Sequence, residues 1–245
     1  MHQLQGPGLD RELTELQKLA CAFRILAREG WSQNLAGHIT YVPEGTDAMW
    51  VNPWGRWWDE VRTSDLCKVS PSGTLLEGRW DVTPAIFIHT ELHRLRPDAR
   101  VAIHNHPYYA TVHAGLGELP VITEQTGCMF DGEMAIFDEF TGGVDNPEAG
   151  AQLAAAVGDA KAAILINHGA LVTGRTIEEA TYRAVSFERV CRLSYDTMLT
   201  GKEPARIKPQ IRAAMKAGFT DEATVQFFWN GAVRLLLRDE PDVLE

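Results

Sequence analysis

The sequence is poor in cysteine and in positive charge and has no long apolar run, and each shortage excludes a class of protein. Only four cysteines occur, Cys21, Cys67, Cys128 and Cys191. They lie far apart with no Cys-x-x-Cys pair, so no zinc knuckle or redox motif is expected, and they read as small buried thiols. Lys and Arg number 23 against 33 Asp and Glu, a formal charge of −10. Binding to a phosphate backbone needs a basic face, and the basic residues here are scattered, so no nucleic-acid partner is expected. No apolar run approaches the roughly 18 residues of a membrane span. The opening Met1-His2-Gln3-Leu4-Gln5 lacks the basic-then-apolar layout of a leader, so a cytoplasmic location is expected. No repeat or low-complexity segment stands out.

What is present suits one globular domain, 1–245: 245 residues, 45% of them hydrophobic and 23% charged. Leu13, Leu16, Leu19, Ala20, Phe23 and Leu26 recur at helical spacing after Asp10, which predicts an amphipathic helix over 10–29 capped by Asp10 and ended by Gly30. Ile39 to Val42 and Met49 to Val51 flank a turn-rich segment and predict a β-hairpin. A short strand at Leu66 to Val69 ends at Ser70-Pro71-Ser72-Gly73, and Thr83-Pro84 opens a helix. Val101 to Ile103 is a buried strand. A helix over about 107–115, short strands around 119–123 and 133–137, and a helix after Asp145-Asn146-Pro147 follow. Ala162 to Ile166 and Ala170 to Thr173 are further strands, and Thr176-Ile177-Glu178-Glu179 starts a helix running to about 200. Residues 206–245 read as a helical C-terminal extension. The alternation implies α/β layers, and the early hairpin implies a largely antiparallel sheet.

Chemistry gathers at the histidines. Residues two apart on an extended segment point the same way, so His104 and His106 of His-Asn-His can reach one ion together. His168, in Ile-Asn-His-Gly after another apolar strand, would complete a three-imidazole set that leaves coordination positions open. An isolated His-x-His also arises without any metal, so spacing alone does not decide the matter.

Several motifs together do. Asn34-Leu35-Ala36-Gly37-His38-Ile39-Thr40, Arg96-Pro97-Asp98-Ala99 followed by His104-Asn105-His106, and Asn167-His168-Gly169-Ala170 with Thr176-Ile177-Glu178-Glu179-Ala180 make the sequence resemble the class II aldolase/adducin family over about residues 12–205. The resemblance implies a three-layer α/β/α sandwich with a mostly antiparallel central sheet. It also implies one divalent transition metal per subunit, usually Zn or Mn, on His104, His106 and His168, and a homotetramer with active sites at subunit interfaces; Fe is the further metal that three histidines with open positions could hold.

The sequence departs from the family's aldolases at telling positions. They carry a glutamate nineteen residues before the first ligand histidine, where this sequence has Ala85, and Thr83-Pro84-Ala85 stands in place of Ser-Ser-Glu. The expected phosphate cradle is also altered, because Asn34, Gly37, His38, Trp54, Gly55 and Thr83 offer few of the donors that a phosphate wants. Trp50, Trp54, Trp57 and Trp58 offer ring-stacking area or core packing, and Arg56 and Arg62 could pair with a carboxylate. Glu124 aligns with the aldolases' tyrosine proton donor and is the surviving acid/base candidate, with Tyr109 as a second; Tyr108 is an alternative hydroxyl. His89 and His93, four apart on one helix face, are assigned supporting positions.

The expected function is a metal-dependent carbon–carbon lyase, a decarboxylase or retro-aldol enzyme of a small hydroxy or oxo acid of aromatic or heteroaromatic type. The alternatives are a non-haem iron oxygenase on the same scaffold and a non-catalytic, adducin-like binding protein.

Overall fold

A computed structural model describes residues 6–138 and 144–245. The opening Met1 to Gln5, whose composition suggested no leader, lies outside the described residues.

The first helix, α1 (Glu15–Arg28), starts later than its apolar periodicity suggests. Thr14, not Asp10, is its cap: the Thr14 hydroxyl accepts from the Gln17 amide while the Gln17 side chain accepts from the Thr14 amide. This reciprocal pair satisfies two of the amides that a helix start leaves open, an option Asp10 could not offer from four residues away. Leu19, Phe23 and Leu26 are fully buried on its inner face, each contributing on the order of 1.5–3 kcal/mol.

Next come β1 (His38–Tyr41), β2 (Met49–Val51), β3 (Cys67–Val69) and β4 (Leu75–Glu77). Thr83 caps a turn at Pro84–Ile86 that feeds α2 (Phe87–Leu95). The chain continues through β5 (Val101–Asn105), α3 (Tyr108–Leu116), β6 (Met134–Phe137), α4 (Pro147–Val157), β7 (Ala162–Leu165), β8 (Gly169–Gly174) and α5 (Ile177–Leu199). It ends with α6 (Pro209–Phe219) and α7 (Glu222–Asp239). Two local differences from the expected strands occur. No strand forms at 119–123, where the Val121 amide is taken by the Ser194 hydroxyl at 2.9 Å instead of by a neighbouring strand. Conversely, β4 was not expected, because its three residues are all exposed and carry no buried pattern.

The strands form one sheet in the order β4-β3-β2-β1-β5-β8-β7-β6. Every described pairing is antiparallel except β6 with β7. The sheet is mixed and mostly antiparallel, with helices on both faces, as the α/β reading requires. The strand period of two divides the side chains between two cores. Val101 and Ile103 of β5 join the larger core with residues of α1, α3, α5 and α7, whereas Ala102 faces the smaller core with Ile88 and Leu92 of α2 and Leu153 of α4. The C-terminal residues are helical and α7 is built into the larger core through Val225, Trp229, Val233 and Leu236. All four cysteines are buried and unbridged. Among the described residues, no helix is long and apolar enough to cross a membrane.

Candidate metal centre

Strand pairing brings the three histidines together. β5 lies between β1 and β8, with His38 directly opposite His104 on one side and Leu171 opposite His104 on the other. His106 leaves the end of β5, and His168 sits in the turn that joins β7 to β8. The ligand nitrogens of His104, His106 and His168 lie within 4.8 Å of one another. Their ring centroids are 4.7 Å (His104–His168), 4.9 Å (His106–His168) and 5.4 Å (His104–His106) apart.

Supporting contacts decide which nitrogens face inward. His104 donates from Nδ1 to the Ala170 carbonyl at 2.9 Å, and His106 donates from Nδ1 to Gln33 Oε1 at 2.6 Å. Each bond leaves Nε2 with its lone pair for an ion, the arrangement by which outer contacts orient metal-binding imidazoles. His106 Nε2 is buried with no hydrogen-bond partner. An unsatisfied buried nitrogen is costly, and a divalent cation would satisfy it. Burial first, then the neighbouring imidazoles, holds His104 well below its ordinary value and brings His168 down to about 4. The rings are therefore neutral near pH 7, as ligation requires. The residues fit a divalent transition metal.

Close backbone packing makes this cluster possible. Gly37 has φ +84, and a Cβ there would run into the Asn105 side chain and the His104 carbonyl. Asn105 holds both sides of the site: Nδ2 donates to the Ala36 carbonyl at 3.1 Å and Oδ1 accepts from the His106 amide at 2.8 Å. At Gly169, a Cβ would come within 2.5 Å of the Asn105 carbonyl and 2.7 Å of His106 Cδ2. Glu188 of α5, buried, accepts from the amides of Tyr109 and Ala110 at 2.7 and 2.9 Å. It thereby supplies the cap that Pro107, without a capping side chain, cannot give α3 immediately after His106. Burial raises its carboxyl to about 7 against the lowering effect of those two amides.

The histidines of α2 continue the site inward. His38 Nδ1 lies 2.7 Å from His89 Nε2, and Thr40 Oγ1 lies 2.6 Å from His89 Nδ1 and 2.8 Å from His93 Nε2. His93 Nδ1 donates to the Ala99 carbonyl at 2.6 Å. Burial lowers His38 to about 3 and His93 to about 4 and puts His89 well below its usual value. His89 and His93 are thus linked to the triad through His38, with the Thr40 hydroxyl between their ring nitrogens.

The other candidates are more dispersed. Asn34 is exposed with φ +50, and Trp54, followed by Gly55, is half exposed. Arg56 is ion-paired with Glu60 at 3.0 Å and Asp65 at 3.4 Å, and Arg62 is paired with Asp242 and Glu245. Trp58 is fully buried and donates to the Gly37 carbonyl, so it supports the glycine loop as a core residue, while Trp50 packs on the larger core. Thr83 is buried with its hydroxyl accepting from the Ala85 amide. Glu124 accepts from the amides of Thr126 and Gly127, and the Tyr109 ring lies beside Tyr108 and Tyr195. Sequence reasoning missed Gln33, Thr40 and Glu188. Of these, only Thr40 had a local signal, two residues after His38 and therefore on the same face of β1.

The profile of the family described as "Class II Aldolase and Adducin N-terminal domain" matches residues 17–195. The chain belongs to the class II aldolase/adducin family. Within it, the chain is 34% identical over 197 residues to the decarboxylase NovR of Streptomyces niveus, covering 78% of this chain and 72% of that one. It is also 34% identical over 179 residues to a 4-hydroxy-3-prenylphenylpyruvate oxygenase/4-hydroxy-3-prenylbenzoate synthase of Streptomyces roseochromogenus subsp. oscitans, covering 71% of this chain and 64% of that one. Among solved structures, L-fuculose 1-phosphate aldolase from Glaciozyma antarctica PI12 superposes with a TM-score of 0.83 at 26% identity, over 94% of this chain and 92% of that chain. The family's fold is therefore that of this chain, a class II aldolase-like α/β sandwich.

Proposed function

We propose that the protein is a divalent-metal-dependent carbon–carbon lyase that decarboxylates, or cleaves by retro-aldol chemistry, a small hydroxy or oxo acid of aromatic or heteroaromatic type. The observation that carries this reading is the composition of the centre: three neutral imidazoles with no carboxylate in the cluster among the described residues, and Ala85 at the position of the aldolases' glutamate. Zinc or manganese on these nitrogens would supply Lewis-acid stabilisation to an enolate-like oxygen as the carbon–carbon bond breaks.

The chain's own residues do the rest. His104, His106 and His168 bring no negative charge, so among the described residues a substrate carboxylate meets no like charge in the cluster. Loss of carbon dioxide needs no proton removed beforehand in the way that aldol addition does, so it tolerates alanine at position 85. Asn34, Gly37, His38, Trp54, Gly55, Arg56 and Thr83 are the proposed substrate contacts, and Trp54 suits a flat ring better than a phosphate. Glu124, acting across a subunit interface in a homotetramer, is the proposed proton donor to the product carbanion. Tyr109, three residues after His106, is the second candidate for that role. The likeness to a decarboxylase supports this reading.

The similarity to an oxygenase/synthase favours one second reading, an iron centre on the same three histidines that activates oxygen. Incubating zinc- or manganese-loaded protein with hydroxylated aromatic acids is expected to release carbon dioxide without oxygen uptake. Oxygen consumption by iron-loaded protein would establish the second reading, and release that survives His104→Ala would defeat the first.

A further inference from the structure

We infer that His38 presents an unprotonated Nε2 to the centre, fixed in that form by the buried file His89–Thr40–His93, and that it selects substrates that donate a hydroxyl hydrogen there. This deepens the lyase reading, on which its substrate arm rests.

The tautomers follow from one end of the file. The Ala99 carbonyl can only accept, so His93 Nδ1 carries a hydrogen. The file is buried and, among the described residues, no carboxylate bonds to it. Each ring is therefore neutral with a single N–H. His93 Nε2 is then a lone pair, and the Thr40 hydroxyl must donate to it. The hydroxyl has one hydrogen, so Thr40 Oγ1 accepts from His89 Nδ1–H. His89 Nε2 in turn accepts from His38 Nδ1–H. No other assignment leaves every contact with one hydrogen and every ring neutral. His38 Nε2 is left as a lone pair without a protein partner among the described residues.

That lone pair belongs to the centre. His38 and His104 are direct cross-strand partners and so share a face of the sheet, with ring centroids 5.2 Å apart. With Nδ1 committed to α2, Nε2 is the nitrogen left to a ligand beside the triad. Phosphate oxygens would set lone pair against lone pair, whereas a hydroxyl beside a carboxylate would donate. His38 is thus a specificity-determining residue, and Thr40, His89 and His93 are positioning residues.

The test is nitrogen NMR of zinc-loaded protein labelled at histidine, with His38 assigned through His38→Gln. The expected result is a protonated Nδ1 and an unprotonated Nε2, the less common neutral form in water. A protonated Nε2 in the wild-type protein would overturn the inference, with no variant needed. Thr40→Val should scramble the His38 tautomer at unchanged zinc content, and Thr40→Ser should restore it. Calorimetry with mandelate and phenylacetate, which differ by one hydroxyl, should show a preference for mandelate of about tenfold or more, reduced in Thr40→Val. An unchanged tautomer or an unchanged preference in Thr40→Val would also overturn it. The NMR result is independent of turnover: failure of carbon dioxide release with the expected tautomer removes the lyase reading alone, and release with a protonated Nε2 removes this inference alone.

Discussion

Gln33 Oε1 lies 2.6 Å from His106 Nδ1, on the far side of the ring from the nitrogen that faces the triad. The contact turns a solvent-side glutamine into the residue that sets the tautomer of a metal ligand. Replacing such an outer partner typically costs about 10–100-fold in metal affinity. Gln33→Ala is expected to lose zinc affinity in that range in competition with a chromogenic chelator, with the fold intact by circular dichroism. An unchanged affinity would show that His106 orients itself without Gln33.

The close approach at Gly169 makes a second prediction. A methyl group there meets the Asn105 carbonyl and the His106 ring, and the carbonyl belongs to a strand that cannot easily yield. Overpacking of this kind costs about 1–3 kcal/mol, and here it also pushes His106 out of the cluster. Gly169→Ala should therefore lower the urea midpoint and reduce bound zinc together. Loss of stability with full zinc binding would separate the two effects and contradict the account.

Buried histidines and the buried Glu188 carboxyl act on stability with opposite sign as pH changes. His89 and His93 are held neutral in the fold, His93 down to about 4, while the unfolded chain titrates near 6.5. Their contribution is complete above 6.5 and is lost as pH falls toward the folded values. Glu188 is raised from 4.5 to about 7, so its contribution is complete below 4.5 and is lost as pH rises through 7. Glu188→Gln removes the second pH effect and, at every pH alike, one of the two acceptors for the Tyr109 and Ala110 amides. Relative to wild type, the variant should gain most at about pH 8, and the gain should shrink at up to about 1.4 kcal/mol per pH unit as pH falls toward 5. Urea unfolding at both pH values measures this, and an equal gain at both would refute the placement of Glu188.

How much of this was legible in the sequence depended on whether the deciding contact was local. β5 and β8 were, because runs such as Val101-Ala102-Ile103 and Ala170-Leu171-Val172 declare a buried strand on their own. His104 and His106 were, because a period of two is a local rule. β4 was not, since Leu75, Leu76 and Glu77 are exposed and form a strand only because β3 is beside them. The apolar residues near 119–123 misled for the converse reason: Ser194, on α5, takes an amide that a strand would have used. Gln33 reaches His106 across 73 positions and Glu188 reaches Tyr109 across 79, distances over which no spacing rule operates. The pair His89 and His93 was visible as a helix face, but its meaning lay in Thr40 and His38 on another element.

Whether His104, His106 and His168 together hold one ion that the chemistry needs is decided by metal stoichiometry. Metal-free protein titrated with zinc by calorimetry, with elemental analysis of the product, should bind one ion per chain, and His106→Ala should lose affinity by several orders of magnitude while remaining folded. Binding of one ion with equal affinity by wild type and His106→Ala would contradict the three-histidine site.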